Sequence, residues 1–170
     1  MTLKKIHIIG GSGSGKTYIS QRISKDLHIK NYDLDKLYWD NSSGSYEIKS
    51  DINKRDENLQ MILSKESWII EGVYYSWLQD SFIKSDIVFI LKPNVFKRDL
   101  RIIKRFVKRK LGLLPSKRGS IKGLIDLIIW NHKYDKKNLK EAETMIDKYN
   151  CNKVIFKNNM DILSFVKKNS

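Results

Sequence analysis

Eight consecutive residues, Gly10-Gly11-Ser12-Gly13-Ser14-Gly15-Lys16-Thr17, fit the pattern G-x-x-x-x-G-K-[ST] without a mismatch. The glycines allow the backbone to curl until successive N–H groups point at one centre, which makes a nest for anions. A helix beginning near Lys16 adds the positive end of its dipole. Lys16 can then reach the β- and γ-phosphates, and the Thr17 hydroxyl can ligate Mg²⁺. The chemistry this string implies is binding of a nucleoside triphosphate with Mg²⁺. An empty Gly/Ser-rich turn is the plain alternative, but such turns seldom carry Lys-Thr at this offset directly after an apolar run.

Three further groups could act on a bound triphosphate. Asp33 and Asp35 follow a short strand candidate, at the edge where open parallel sheets bind ligands. A carboxylate there can accept a hydrogen bond from an acceptor hydroxyl or hold a water on Mg²⁺; the alternative is that Asp35 caps a helix through Lys36-Leu37-Tyr38. Glu71-Gly72 closes another strand candidate. From Asn94 to Lys110, Arg98, Arg101, Arg105 and Arg109 recur opposite an apolar stripe of Phe96, Leu100, Ile103 and Val107, interleaved with Lys97, Lys104 and Lys108. Cations are needed where charge spreads over a transferring phosphoryl group.

The elements that must position these groups are legible as short apolar runs. Ile6 to Ile9, His28 to Asp35, Trp68 to Ile70, Ile87 to Leu91 and Val154 to Phe156 read as five strands, separated by segments with helical spacing. Ile48, Ile52, Leu59, Ile62 and Leu63 predict a helix over 48–65, and Ile162, Leu163 and Val166 a closing helix. Strands alternating with helices imply crossover units around a parallel sheet. The expected fold is α/β: a P-loop domain over 1–170, with a five-stranded parallel sheet flanked by helices and a basic helical lid insertion, residues 94–140, between strands 4 and 5. Residues 40–45 and 112–119 read as a loop and a turn. The string Asn53-Lys54-Arg55-Asp56 matches a guanine-reading motif, but it falls inside a helical pattern and reads as a solvated helix face.

Charge and length narrow the functional classes. The chain of 170 residues carries a formal charge of +14, and 17 of its 33 basic but only 4 of its 19 acidic residues lie between 84 and 140. A basic tail or a uniformly basic coat is excluded by that concentration. No apolar run approaches the roughly 18 residues that span a bilayer, and no signal-peptide pattern opens the chain, so no membrane partner is expected and the cytoplasm is the expected location. Motor ATPases need larger chains. One cysteine and three scattered histidines give neither an intrachain disulfide nor zinc-ligand spacing.

The P-loop, Asp33-Leu34-Asp35-Lys36-Leu37-Tyr38-Trp39, Trp68-Ile69-Ile70-Glu71-Gly72, the Arg-rich helix and the Trp130 segment together resemble the adenylate-kinase-like P-loop kinases, and within them the small bacterial group known as DNA topology modulation proteins. The resemblance covers essentially the whole chain, and only the P-loop is highly specific. It implies that Asp35 binds the acceptor and is a candidate base. Asp33 and Glu71 would act on Mg²⁺ through water, with Thr17 as the direct ligand. It also implies Arg101 over the adenine ring, Arg105 on the phosphates, and Lys117 and Arg118 as lid-tip cations. Related nucleoside-monophosphate kinases follow the acid-glycine pair with a phosphate-gripping arginine, where Val73-Tyr74-Tyr75 stands here. That departure counts against a nucleoside monophosphate acceptor and leaves Tyr74, Tyr75 and Trp77 as an aromatic wall.

The resulting expectation is an ATP-dependent kinase of a small molecule or nucleotide, with Lys16, Asp35 and Arg105 as catalytic residues. The alternative is a nucleotide-dependent protein that associates with DNA through the basic helix. Nucleic acid is not favoured as a partner, because no helix-turn-helix, zinc-finger or RNA-recognition signature supports readout.

Overall fold

The computed structural model describes residues 3–40, 48–114 and 119–169. Five parallel strands form one sheet in the order β2-β3-β1-β4-β5. They are β1 (Lys5–Gly10), β2 (Asn31–Asp33), β3 (Trp68–Gly72), β4 (Ile87–Leu91) and β5 (Lys153–Phe156). All of β3 and β4, and all of β1 but Lys5, is buried. That matches their composition: a parallel sheet covered on both faces needs apolar side chains pointing both ways. One face packs Ile9, Trp68, Ile70, Val88 and Ile90 with Phe82, Tyr134 and Leu139. The other packs Ile6, Ile8, Ile69, Phe89 and Leu91 with Ile19, Ile23, Ile162 and Val166.

The helices are α1 (Lys16–Leu27), α2 (Asp35–Tyr38), α3 (Ile52–Leu63), α4 (Gln79–Lys84), α5 (Val95–Lys110), α6 (Ile121–Tyr134), α7 (Asn138–Lys148) and α8 (Asn159–Asn169). Three of them, α5 to α7, fill the interval between β4 and β5 where the basic insertion was expected.

Three boundaries differ from the sequence expectation. The second strand holds only Asn31–Asp33, because His28 ends α1 in the left-handed region (φ 55°) and Asp35 already belongs to α2. Asp33 therefore closes the strand and Asp35 does not. The third helix starts at Ile52, with the Asp51 carboxylate accepting from the Lys54 N–H, whereas Lys49 pairs with Trp39 in an antiparallel bridge. Ile48 is consequently outside the helix whose apolar stripe it was assigned to. Of the expected loop at 40–45 and turn at 112–119, residues 41–45 and 115–118, with the tip residues Lys117 and Arg118, lie outside the described residues.

The largest departure concerns α5. Its predicted limits hold, with the Asn94 side chain accepting from the Phe96 N–H at the N-cap. Its facing departs from the usual rule that an apolar stripe turns inward: the inner side carries Arg98 and Asp99 together with Ile102. Arg98 is wholly buried at 0% exposure, whereas Phe96 is 68% exposed, and Leu100, Ile103 and Val107 are also exposed.

Candidate phosphate-binding site

Strand β1 lies at the centre of the sheet and delivers the chain into the glycine loop. Gly13 (φ 73°) and Gly15 (φ 96°) occupy the left-handed region, which only glycine enters without strain, and Gly15 is the N-cap of α1. Space is limiting as well as angle. A Cβ on Gly13 would stand 2.6 Å from the Arg98 carbonyl oxygen, and one on Gly11 would collide with the Arg98 guanidinium. The loop is thus pressed against α5.

Beside this loop the ends of β2 and β3 present carboxylates at matched register, Asp33 opposite Glu71. The Thr17 hydroxyl donates to Glu71 Oε1 at 2.7 Å. Glu71 is 1% exposed, and burial pushes its carboxyl above the ordinary range, although Lys16 and the Thr17 bond pull the other way. Its second oxygen, Oε2, is buried without a hydrogen-bond partner. Burial likewise raises the Asp33 carboxyl, opposed by the bond it accepts from the Asp35 N–H at 3.0 Å. Asp35 therefore does not cap α2: it is the first residue of that helix, after Leu34 at the N-cap position, and its own N–H is taken by Asp33. That frees the Asp35 carboxylate, which accepts from the Tyr74 hydroxyl at 2.8 Å. Burial and the Asp35 charge hold the Tyr74 phenol far above its usual value, so it stays protonated and donates.

Tyr74 is the first of the aromatic wall. Its ring stacks on Tyr38 (4.5 Å, 27°) and lies 5.8 Å from Trp77, over which the Arg55 guanidinium sits at 4.4 Å. Arg55 belongs to the Asn53–Asp56 string, which lies on α3 as a helix segment.

The arginines of α5 approach from the opposite side. Arg101 Nη1 donates to the carbonyl oxygens of Gly13 (3.1 Å) and Ser14 (2.9 Å), and Arg105 Nη2 donates to Ser12 Oγ at 3.2 Å. Burial and the neighbouring Arg109 lower the Arg105 guanidinium from its usual value. Ser12, Gly13, Gly15, Lys16, Thr17, Asp35, Glu71, Val73, Arg101 and Arg105 together line one cleft of about 270 Å³. Of the expected site residues, Gly10, Gly11, Ser14 and Asp33 lie just outside this lining.

The sequence pattern groups Arg98 with the cations opposite the apolar stripe of α5. In the structure it makes two parallel bonds to the Asp135 carboxylate (2.9 and 2.8 Å) and a third, at 3.4 Å, to the Asn131 carbonyl. Asp99 beside it accepts from Asn131 Nδ2 (3.2 Å) and from His132 Nε2 (2.7 Å). These groups join α5 to α6 immediately behind the glycine loop. Asn159, at the start of α8, was also missed: a Cβ on Gly15 would lie 2.8 Å from its Nδ2 and 3.4 Å from Arg101 Nη1. Neither residue has a local sequence signature, since each meets the loop through contacts more than 80 residues distant in the chain.

The donor set suits a hard cation held mainly by its ligand. Among the described residues no three His, Cys, Asp or Glu side chains cluster closely enough to cage a metal. One hydroxyl, Thr17, and the unpartnered Glu71 Oε2 remain for direct and water-mediated contact. This fits Mg²⁺, which keeps several waters and takes substrate phosphates as ligands.

No family model matches the sequence. A 75-residue stretch, 44% of the chain, is 33% identical to the uncharacterized protein YqaC of Bacillus subtilis (strain 168), and the match spans 40% of that protein's length. Solved structures align over nearly the whole chain. Shikimate kinase from Acinetobacter baumannii in complex with shikimate has a TM-score of 0.62 at 15% identity, covering 99% of this chain and 96% of that one. Deoxyadenosine kinase from M. mycoides with bound dATP has 0.59 at 19% identity, covering 97% and 99%. Shikimate kinase from Bacteroides thetaiotaomicron has 0.57 at 14% identity, covering 98% and 96%. At such identities the likeness is one of architecture: the chain shares the fold of these shikimate and deoxyadenosine kinases.

Proposed function

We propose that the chain is a small ATP-dependent kinase that phosphorylates a hydroxyl-bearing small molecule or nucleotide. The observation that carries this reading is the convergence, on one cleft, of a Walker-type loop, the Thr17–Glu71 pair, the Asp35 carboxylate and two arginines from a separate helix. A phosphate site alone needs only the loop. Asp35 and the arginines are what a transfer reaction adds.

In this reading the loop N–H groups and Lys16 hold the β- and γ-phosphates. Thr17 would hold Mg²⁺ directly and Asp33 and Glu71 through water, and the ion would neutralise phosphate charge. Arg105 gives up its bond to Ser12 and, with Lys16, stabilises the charge that spreads over the transferring group. Asp35 accepts the hydrogen bond of the acceptor hydroxyl and orients it for in-line attack. Tyr74, held protonated, shares that carboxylate and keeps it aimed at the cleft. The base lies between Arg101 and Asn159, which flank Gly15. No arginine follows Gly72, so the aromatic wall and Arg55 define the acceptor side. In this reading the chain is grouped with the DNA topology modulation proteins that its sequence resembles. Its implied DNA association draws no support from α5: Arg98, Arg101 and Arg105 face the glycine loop rather than a polymer.

The test is an acceptor screen with nucleosides, nucleotides, sugars and small hydroxy acids, including shikimate and deoxyadenosine, read as ADP release. An acceptor-dependent signal is expected, and Lys16→Ala should lower it on the order of 10³-fold. ATP binding without product across the screen, or full activity in Lys16→Ala, would sink the kinase reading.

A further inference from the structure

The α5–α6 hairpin has a second face that the cleft does not use. Phe96, Leu100, Ile103 and Val107 of α5 follow one another at steps of four, three and four, and all are exposed. Ile121, Ile125 and Ile129 of α6 are exposed at steps of four. The two helices run antiparallel. Arg98 and Asp99, near the start of α5, meet Asn131, His132 and Asp135 at the end of α6, whereas Gly119, just before α6, lies against Phe106 in the second half of α5. The apolar stripes therefore lie on one outer side of the hairpin, opposite the arginines, and the Phe96 ring meets His132 edge-on at 6.0 Å. Lys97, Lys104 and Lys108 border it on α5, and Lys122 and Lys133 on α6.

Single exposed aliphatic side chains are ordinary, but a contiguous patch of this size marks a surface that is normally covered. With Leu111, these side chains expose on the order of 800 Å², the share one partner gives to a standard interface. The 4-3-4 spacing on α5 suits knobs entering the holes of a facing helix. A hairpin with such a face completes a four-helix bundle when it meets its own copy. We infer that the outer face of the α5–α6 hairpin is a twofold interface between two copies of this chain.

This pairing has an electrostatic signature. The lysines sit at the rim, stay hydrated and repel their counterparts across the interface, so added salt strengthens association by screening. A polyanion, an acidic protein or an anionic membrane would bind the same face more weakly as salt rises. Association also fixes α5, the helix whose opposite side supplies Arg101 and Arg105 to the cleft.

The experiment is the solution mass of the full chain by sedimentation velocity, from about 1 µM to about 100 µM, at about 50 mM and about 500 mM salt. The mass should double with concentration, at a lower midpoint in high salt. Leu100→Glu with Val107→Glu should shift that midpoint up by at least about 100-fold, because charge would be buried, with an unchanged far-ultraviolet circular dichroism spectrum. Lys104→Gln with Lys108→Gln should tighten association and flatten its salt dependence, an effect misfolding cannot imitate. A monomer under all conditions overturns the inference, as does a dimer that survives the double glutamate variant. So does association that weakens with salt. Sedimentation of a monomeric chain with phosphatidylglycerol vesicles would assign the face to lipid instead.

Discussion

In the sheet, facing follows hydrophobicity: Ile6, Ile8 and Ile9 of β1, and all of β4 from Ile87 to Leu91, are buried, and the charged residues fall at strand ends. In the α5–α6 hairpin that order breaks down, with Arg98 buried beside Ile102 and Phe96, two residues earlier, outside. The difference lies in what each region packs against. The strands meet other apolar elements, so burial follows transfer from water. Helix α5 meets a loop of backbone dipoles with a phosphate cleft in front of it, and the side chains that can hydrogen-bond there are guanidinium groups. Facing in the hairpin is set by the polarity of the neighbour.

Arg98→Met breaks this comparison most severely. Removing one partner of a buried pair leaves the other charge uncompensated, which costs on the order of 3 kcal/mol. Chemical denaturation should show that loss, and adding Asp135→Leu should restore much of it. A surface arginine would show neither effect. Arg105→Ala should separate function from stability. It should lower the rate of phosphoryl transfer on the order of 10²-fold, about 2.7 kcal/mol in the transition state, while leaving the denaturation midpoint nearly unchanged. A large stability loss here would mean that the inner face is purely structural.

The smallest effect comes from the sheet edge. The folded Glu71 carboxyl lies above its unfolded value, so the nucleotide-free fold takes up a proton more readily than the unfolded chain and loses stability as pH rises past that ordinary value. Glu71→Gln should therefore raise the melting temperature of the nucleotide-free protein at pH 7 by about 2–4 °C, the shift that roughly 1 kcal/mol gives at this size. That gain should fade as pH approaches 4, and the variant should lose stabilisation by ATP with Mg²⁺. An unchanged midpoint would show that the buried carboxylate costs the fold nothing.

The same contrast explains what was legible beforehand. The run Ile87 to Leu91 reads as a strand at its true limits because a doubly covered strand must be apolar throughout. The loop at 10–17 reads as a phosphate site because its chemistry is local: glycine angles, a lysine and a hydroxyl in sequence. The limits of α5 were also legible from its spacing. Its facing was not, since periodicity shows that two faces differ without saying which neighbour each meets. The Arg98–Asp135 pair spans 37 residues, and no local pattern encodes it. Asp33 and Asp35 were recognised together, but their roles depend on where β2 stops, and strand ends are settled by the backbone conformation of His28 and by pairing with β3.

The buried contacts of Arg98 also set a mechanical scale. They fasten α5 to α6 near the start of the helix, so a rotation of α5 about that end would work as a lever with its fulcrum at Arg98. At 1.5 Å per residue, Arg105 lies about 10 Å along the arm and Lys110 about 18 Å. A swing of about 10° then carries Arg105 by about 2 Å, enough to trade the Ser12 hydroxyl for a phosphate oxygen, while the far end of the arm travels nearly twice as far. The nearer cation is geared for fine adjustment and the tip for sweep, and their ratio of travel is fixed by their distances from a single arginine.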